Sequence, residues 1–288
     1  MIICIKRQSF IITSIVLILA IIASVLYITA IDNSGEDENL VYVPIIMYHE
    51  IKTYKLGKDV ISPYEFESDL QYLKSNNYNT ITMADLINYV YNNGTLPENP
   101  IVISFDDGYL STYKYALPLL KKYEMKIVFS ILGKNTDDFT QIPDNNIDYS
   151  HVTWAQLNEM LDSGYVEVQN HTYNLHYCGS RLGCMKKAEE SLADYEKTLT
   201  EDITKLQDEI KLYTGKVPDT FTYPYGKSSE STVDIVKKLG FKATLSCNYG
   251  INKISKAPEC LFNLKRIARA HGTTMEKVLI KGFKTVKR

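Results

Sequence analysis

Short apolar runs alternate with longer amphipathic segments along most of the chain beyond residue 40. The strand-like runs lie at about 41–47, 101–105, 126–132, 165–169, 220–223, 241–246 and 264–268. The helix-like segments lie at about 62–76, 82–92, 111–123, 153–162, 186–213, 231–239 and 274–281. Strands that alternate with helices of this length are typical of βα units around a parallel sheet. About seven such strands predict an α/β barrel, complete or distorted.

The N-terminus has a different pattern, because Lys6 and Arg7 precede an uncharged, mostly apolar run from Phe10 to Ile31. A helix over this run would be about 33 Å long, enough for a bilayer core of about 30 Å. The run exceeds the apolar core of a signal peptide, and the preceding cations favour a cytoplasmic N-terminus. A removed signal peptide, with a weak cleavage site at Ile28-Thr29-Ala30, is the alternative. We therefore expect four segments: a cytoplasmic tail at 1–9, an uncleaved transmembrane anchor at 10–31, a linker at 32–40 and an extracellular domain at 41–288.

Composition narrows the classes of partner. The formal net charge is −2 at pH 7, which argues against nucleic acid as a partner. Five cysteines are present. In an extracellular environment Cys178 could pair with Cys184, and Cys247 with Cys260, although free thiols fit the sequence as well.

Two adjacent carboxylates, Asp106 and Asp107, follow the apolar run 101–105 and precede Gly108. The carboxyl ends of strands carry the catalytic groups of α/β barrels. Neighbouring residues at a strand end point in different directions, so the two carboxylates can have different roles. Gly108 permits a tight turn and the close approach of a ligand. The alternative is a solvated Asp-Asp-Gly turn without function.

Two histidines, His171 and His176, follow another predicted strand directly. In a loop their imidazoles can converge on one ion, and Asp107 offers a third ligand. Two histidines and one carboxylate leave positions open for water and substrate, as in catalytic metal sites. Zn²⁺ is the default ion for this ligand set, with Co²⁺ or Ni²⁺ as substitutes. Asp106 would then be free to act as a general base. Two unrelated surface histidines are the alternative.

Three motifs occur in a characteristic order: Ser-Phe-Asp-Asp-Gly at 104–108, His-Thr-x-x-x-His at 171–176 and Tyr-Pro-Tyr-Gly at 223–226. Together they resemble the polysaccharide deacetylases of carbohydrate esterase family 4, over roughly residues 43–270. The resemblance implies a distorted (β/α)7 barrel. It also implies Asp106 as the base, with Asp107, His171 and His176 as metal ligands. The backbone N–H of Tyr225 would help to hold the oxyanion.

The sequence departs from the usual family pattern in three places. The two ligand histidines are five residues apart instead of four, Thr222 stands where an arginine is usual, and no late Leu-x-His motif is evident. These departures resemble the branch that deacetylates poly-β-1,6-N-acetylglucosamine, in which an N-terminal strand supplies the acid. His49 ends such a strand here and is the implied acid, with His271 as the fallback. Arg266 is the expected partner of Asp106.

The expected function is that of a membrane-anchored, extracellular, metal-dependent hydrolase. It would remove N-acetyl groups from N-acetylglucosamine in a cell-surface or cell-wall polysaccharide, either poly-N-acetylglucosamine or peptidoglycan. One alternative is a catalytically inactive sugar-binding protein on the same barrel, which would need neither the base nor the acid. Another is an amidase that acts on wall peptides.

Overall fold

The computed structural model describes Ile18, residues 20–22, Ser24 and residues 40–286. The chain divides into two units, Met1–Leu40 and Val41–Arg288. The predicted tail at 1–9, most of the anchor at 10–31 and nearly all of the linker at 32–40 lie outside the described residues. In the part of the chain that is described, no helix combines the length and the apolar character needed to cross a membrane.

The second unit is built from short strands and longer helices that alternate. The strands are β1 (Val41–Val43), β2 (Ile45–Tyr48), β3 (Glu50–Ile51), β4 (Val60–Ile61), β5 (Asn79–Thr80), β6 (Pro100–Phe105), β7 (Ile127–Ile131), β8 (Val166–Asn170), β9 (Thr220–Thr222), β10 (Ala243–Tyr249), β11 (Asn252–Ile254) and β12 (Leu264–Ala268). The α-helices are α1 (Pro63–Ser75), α2 (Met83–Tyr91), α3 (Leu117–Tyr123), α4 (Gly133–Gln141), α5 (Trp154–Asp162), α6 (Leu192–Thr214), α7 (Thr232–Lys238) and α8 (Met275–Phe283).

Seven parallel strands close into a barrel in the order β2-β12-β10-β9-β8-β7-β6, and pairing of β2 with β6 completes the ring. β5 extends the sheet from β6, and β1 pairs with β11 in an antiparallel ribbon. Helices connect most of the barrel strands. The predicted (β/α)7 barrel is therefore confirmed in its architecture, and every barrel strand points its carboxyl end towards the same face.

Alternation along β6 explains how Asp106 reaches the barrel interior. Val102 belongs to one apolar cluster with Ile45 and Val128 of the neighbouring strands, and Ile103 belongs to a separate cluster. Successive strand residues point to opposite faces, so 102, 104 and 106 share one side. Both faces of β6 are covered, which is why its sequence is apolar almost throughout.

Helix starts were predicted well because their signals are local. Ser62, Thr82 and Thr153 each cap a helix with a capping box, in which the cap side chain and the N3 residue exchange hydrogen bonds. The long helical prediction at 186–213 is wrong at its beginning, because α6 starts only after the cap residue Ser191. Helix α4 was missed because its sequence is mostly polar, which hides the apolar periodicity.

Candidate functional site

A cleft of about 730 Å³ opens at the carboxyl ends of the barrel strands. The implied base, acid, oxyanion residue and three metal ligands all line it, whereas the fallback acid His271 does not. The lining residues are Met47, His49, Glu50, Lys58, Asp59, Val60, Asp106, Asp107, Tyr109, His171, His176, Tyr225, Cys247 and Ala268. The closed barrel brings residues from distant parts of the chain to this one face.

The Asp107 carboxylate lies against two imidazoles inside the cleft. Its Oδ1 is 3.3 Å from Nε2 of His171 and 3.2 Å from Nε2 of His176. This oxygen is buried and accepts no hydrogen bond from the described residues. One ligand atom from each of the three residues lies within 4.8 Å of the others. A buried carboxylate oxygen without a donor, facing two ring nitrogens, fits a divalent cation.

The tautomer of His171 is set by the backbone behind it. Its Nδ1 lies 2.8 Å from the carbonyl oxygen of Thr222. Because a carbonyl can only accept, Nδ1 must carry the proton, and in the neutral ring Nε2 is left as a lone pair towards Asp107. An outer hydrogen bond of this kind orients metal-ligating histidines in general. Thr222, which replaces the usual arginine, thus contributes its backbone to the site.

The charges of the three groups are strongly coupled. Burial alone would raise the pKa of Asp107, but the His171 and His176 imidazoles hold that pKa below its ordinary value. Burial and the neighbouring His171 lower the pKa of His176. Burial opposes protonation of His171 as well, yet the two carboxylates outweigh it and raise its pKa. One anionic and one neutral ligand are therefore already in the form that metal binding needs.

Asp106, one residue earlier, is paired with an arginine. Nη1 and Nη2 of Arg266 donate to its two carboxylate oxygens at 2.7 and 2.8 Å, and Nε donates to the carbonyl of Ser246 at 2.7 Å. Arg266 is among the largest fully buried side chains of the protein. Burial would raise the pKa of Asp106, but the guanidinium lowers it below its ordinary value. The expected pairing of Arg266 with Asp106 is confirmed.

The two candidate acids lie in different surroundings. His49 follows β2, lines the cleft, and has its Nδ1 4.0 Å from Oδ1 of Asp59. His271 is 44% exposed, is held 2.9 Å from Glu65 through Nδ1, and does not belong to the described residues that line the cleft. The structure therefore brings His49 into the site and leaves the fallback candidate outside it.

Tyr225 lies in a tight turn at the cleft wall. Its φ of 56° is left-handed, and its ring centroid lies 4.3 Å from that of His176. The adjacent Gly226 also has a positive φ, and a Cβ there would lie 2.5 Å from Cβ of Cys247. A side chain at 226 would therefore push the turn away from β10, so the glycine fixes where the Tyr225 backbone sits.

Several cleft residues were not singled out from the sequence. Glu50, Lys58 and Asp59 form part of the wall around His49, and Tyr109 follows the Asp-Asp-Gly motif directly. For two of these residues, position in the sequence was the available signal. Glu50 directly follows His49, and Tyr109 directly follows Gly108. Cysteines at 178, 184, 247 and 260 all have free thiols in the structure. Neither of the disulfides considered from the sequence is formed there.

Comparison with known proteins identifies the family. A model described as polysaccharide deacetylase matches residues 93–244. The poly-beta-1,6-N-acetyl-D-glucosamine N-deacetylase of Escherichia coli (strain K12) is 26% identical over 232 residues, covering 72% of this chain and 34% of that protein. The protein of the same name from Staphylococcus aureus (strain MSSA476) is 28% identical over 208 residues, covering 72% of this chain and 64% of that protein.

The solved structures support the same grouping. A de-N-acetylase from Aggregatibacter actinomycetemcomitans is 29% identical, with a TM-score of 0.67, covering 86% of this chain and 99% of that one. The chain spans less than two thirds of the length of the two curated relatives. The family model, by contrast, matches more than half of the chain and includes both the Asp106-Asp107 and the His171–His176 motifs. This chain belongs to the polysaccharide deacetylase family.

Proposed function

We propose that this chain is a metal-dependent N-deacetylase that removes acetyl groups from N-acetylglucosamine residues of poly-N-acetylglucosamine. One observation carries the proposal. A single cleft contains the cluster of Asp107, His171 and His176, in which Oδ1 of Asp107 has no hydrogen-bond partner among the described residues. Directly beside it lies a carboxylate, Asp106, that an arginine holds ionised. A sugar-binding protein would need neither feature, whereas metal-assisted hydrolysis of an amide uses both.

The metal would be held by Asp107, His171 and His176. When bound, a divalent cation supplies Lewis-acid polarisation of the acetamide carbonyl and makes water a better nucleophile at neutral pH. The ligand set of two imidazoles and one carboxylate suits Zn²⁺ first, and Co²⁺ or Ni²⁺ next.

The remaining steps belong to the side chains and backbone of the protein. Asp106 accepts a proton from the attacking water, and its ion pair with Arg266 keeps it ionised and oriented for this task. The backbone N–H of Tyr225 donates to the oxygen that gains negative charge. His49, partly exposed at the cleft wall, donates a proton to the departing amine.

The substrate assignment draws support from the relatives. The proteins from Escherichia coli and Staphylococcus aureus carry poly-β-1,6-N-acetylglucosamine in their names. The cleft also presents the aromatic ring of Tyr225, which is 39% exposed next to His176 and offers an apolar face to a sugar ring. Peptidoglycan glycan strands carry the same acetamide group and are the second candidate substrate.

The test is an assay of acetate release by purified full-length protein. The substrates are poly-N-acetylglucosamine oligomers, peptidoglycan glycan strands and acetylated wall peptides, each with and without a chelator. We expect chelator-sensitive acetate release that is fastest with the first substrate. Release from peptides alone would identify an amidase, and release from none of the three would leave a sugar-binding protein. Activity in a stringently metal-free preparation would contradict the metal mechanism.

We also propose a single-pass topology, with residues 1–9 in the cytoplasm, an anchor at 10–31 and the deacetylase domain, after the linker at 32–40, outside the cell. The support is the position of Lys6 and Arg7 before a long uncharged run. Protease added to intact cells should digest the domain at 41–288 and leave a small membrane-bound fragment. Recovery of the full chain from the cytosol would contradict this topology.

A further inference from the structure

The loop that joins the two histidine ligands has a costly backbone conformation. Thr172, directly after His171, has a φ of 79°. A β-branched residue is rarely found in this left-handed region, because its side chain crowds the backbone there. Such a conformation persists only where the surroundings enforce it. The neighbours of this loop must therefore supply the constraint.

One carboxylate binds two successive backbone amides of this loop. Oδ1 of Asp202 accepts from the N–H of Tyr173 at 2.8 Å, and Oδ2 accepts from the N–H of Asn174 at 2.9 Å. Asp202 lies in the middle of α6, far along the chain from the loop it binds. Both of its oxygens are used, and both amides lie between His171 and His176. Hydrogen bonds from N–H groups to a charged acceptor are among the stronger ones in proteins.

Further contacts to the loop come from α4 and from α6 itself. The N–H groups of Gly133 and Lys134, at the start of α4, donate to the carbonyls of Thr172 and Tyr173 at 3.2 and 2.9 Å. From α6, Lys205 places its Nζ 3.4 Å from the centroid of the Tyr173 ring. The loop is thus held between two helices, and Asp202 is the anionic contact on the α6 side.

Asp202 is an unfavourable residue for the stability of α6 itself. Burial raises the pKa of its carboxyl to about 6, despite the hydrogen bonds from the two amides. An ionised carboxylate at this position therefore carries a desolvation cost at neutral pH. Nothing in the packing of α6 requires a charge there, because the buried face of the helix is apolar apart from Tyr195. Costs of this kind concentrate at functional sites.

We propose that Asp202 is a positioning residue that fixes the loop between His171 and His176, so that both imidazoles face Asp107 before any metal binds. The inference rests on the metal site of the proposed function. It adds a residue that touches none of the three ligand side chains and acts through the backbone amides of residues 173 and 174. Asp202 would set metal affinity through pre-organisation, in the way that outer partners of metal ligands do.

The central variant is Asp202→Asn, which keeps the size of the side chain. Its amide can accept one N–H but presents its own N–H₂ to the other, so one hydrogen bond is lost. In full-length protein, titrated with Zn²⁺ against a competing chelator dye, we expect affinity to fall by about 10–100-fold. Thermal unfolding of the metal-free protein should occur at the same temperature or higher, because the buried charge is removed.

Two control variants lie on the same helix. Asp208→Asn makes the same chemical change at an exposed position and should leave metal affinity unchanged. Ile210→Ala truncates a fully buried side chain and should lower the unfolding temperature while leaving the metal affinity of the folded protein unchanged. A purely structural role for Asp202 would instead give the Ile210→Ala pattern, and that result would overturn the inference.

Hydrogen exchange in the metal-free protein measures how firmly the backbone amides of the loop are held when no metal is bound. Asp202→Asn should speed exchange of the amides at 173 and 174 and leave β8 unchanged. Unchanged exchange in the loop, or a change in Zn²⁺ affinity below twofold, would overturn the inference. If the wild-type protein bound no metal, the proposed function would fail, and the exchange measurement would still decide whether Asp202 orders the loop.

Discussion

Asp106 and Asp107 are neighbours in sequence, yet their surroundings differ in almost every respect. Asp106 directly follows the last residue of β6, and both of its oxygens accept from Arg266. Asp107 has left the strand with a φ of 71°, and its Oδ1 faces two imidazoles without accepting a hydrogen bond from the described residues. One carboxylate is fully satisfied by the protein, and the other is not.

This difference teaches how one strand end can supply two functions. A satisfied carboxylate in a rigid ion pair keeps its orientation and charge, which suits a group that accepts a proton. A buried carboxylate that is left unsatisfied beside ring nitrogens costs stability unless a cation completes the site. The left-handed turn at Asp107 separates the two environments, and Gly108 continues it with a φ of 81°.

The largest expected effect on metal binding comes from changing Asp107, the carboxylate that the described part of the chain leaves without a hydrogen bond to Oδ1. Asp107→Asn replaces an anionic ligand by a neutral amide, so Zn²⁺ affinity should fall by more than about 100-fold, beyond the loss typical of outer partners. Acetate release should fall with it, because the same site polarises the substrate. Metal content and activity measured on one preparation check this. Zn²⁺ content equal to that of the wild type after dialysis would contradict the ligand assignment.

The next effect separates chemistry from metal binding. Asp106→Asn should retain Zn²⁺ while kcat falls by about 10²–10⁴-fold, or roughly 3–5 kcal/mol, the usual contribution of general acid-base catalysis. The variant also leaves Arg266 buried without its anion, so the free energy of unfolding should fall by a few kcal/mol. Activity must therefore be measured well below the unfolding temperature. Equal metal loss in the Asp106 and Asp107 variants would contradict the division between them.

Removing the proposed acid, His49, should lower kcat by less than removing the base, and His271 offers a matched control. His49→Ala should retain metal and reduce kcat by about 100-fold, because departure of the amine then lacks its proton donor. His271→Ala removes an imidazole that binds Glu65 away from the cleft and should leave kcat unchanged. Rates of acetate release for the two variants, measured side by side, test the choice. The reverse result would place the acid late in the chain.

The features that sequence could predict are those with short-range signals. The Asp-Asp-Gly turn, the two histidines and the capping boxes at Ser62 and Thr82 are each read within a few residues. The barrel follows from alternation of strands and helices. Arg266 was named because Thr222 stands where an arginine is usual, so another arginine had to pair with Asp106. The distance between Arg266 and Asp106 could not be read from the sequence.

Other parts of the site depend on contacts between distant segments. Asp202 lies on a charge-rich helix in which nothing local distinguishes it from Asp208, and its partners, two backbone amides, have no sequence signal at all. The wall formed by Lys58 and Asp59 arises because the loop between the paired strands β3 and β4 reaches the cleft. Two-residue strands of this kind fall below the length at which periodicity can be read.

The smallest expected effect on activity comes from the variant Arg266→Lys, which changes the partner of Asp106. A lysine keeps the charge but loses the paired hydrogen bonds to Asp106, so the carboxylate is held less firmly and its pKa should rise. In the wild type the lowered pKa of Asp106 adds stability above the ordinary carboxyl pKa, and this is lost as pH falls through the folded value. The variant should lose part of this stability, and the acid limb of kcat/KM should move to higher pH.

At neutral pH the kcat of the same variant should fall by about tenfold, because Asp106 is held less firmly. The fall is no larger because Asp106 stays mostly ionised at this pH. Zn²⁺ affinity should not change. A pH profile of acetate release and a Zn²⁺ titration are the two measurements. An acid limb that stays in place would mean that Arg266 does not control Asp106. A fall in Zn²⁺ affinity would mean that weakening the Arg266–Asp106 ion pair also disturbs the metal ligands. The ion pair and the cluster of Asp107, His171 and His176 would then act as one unit.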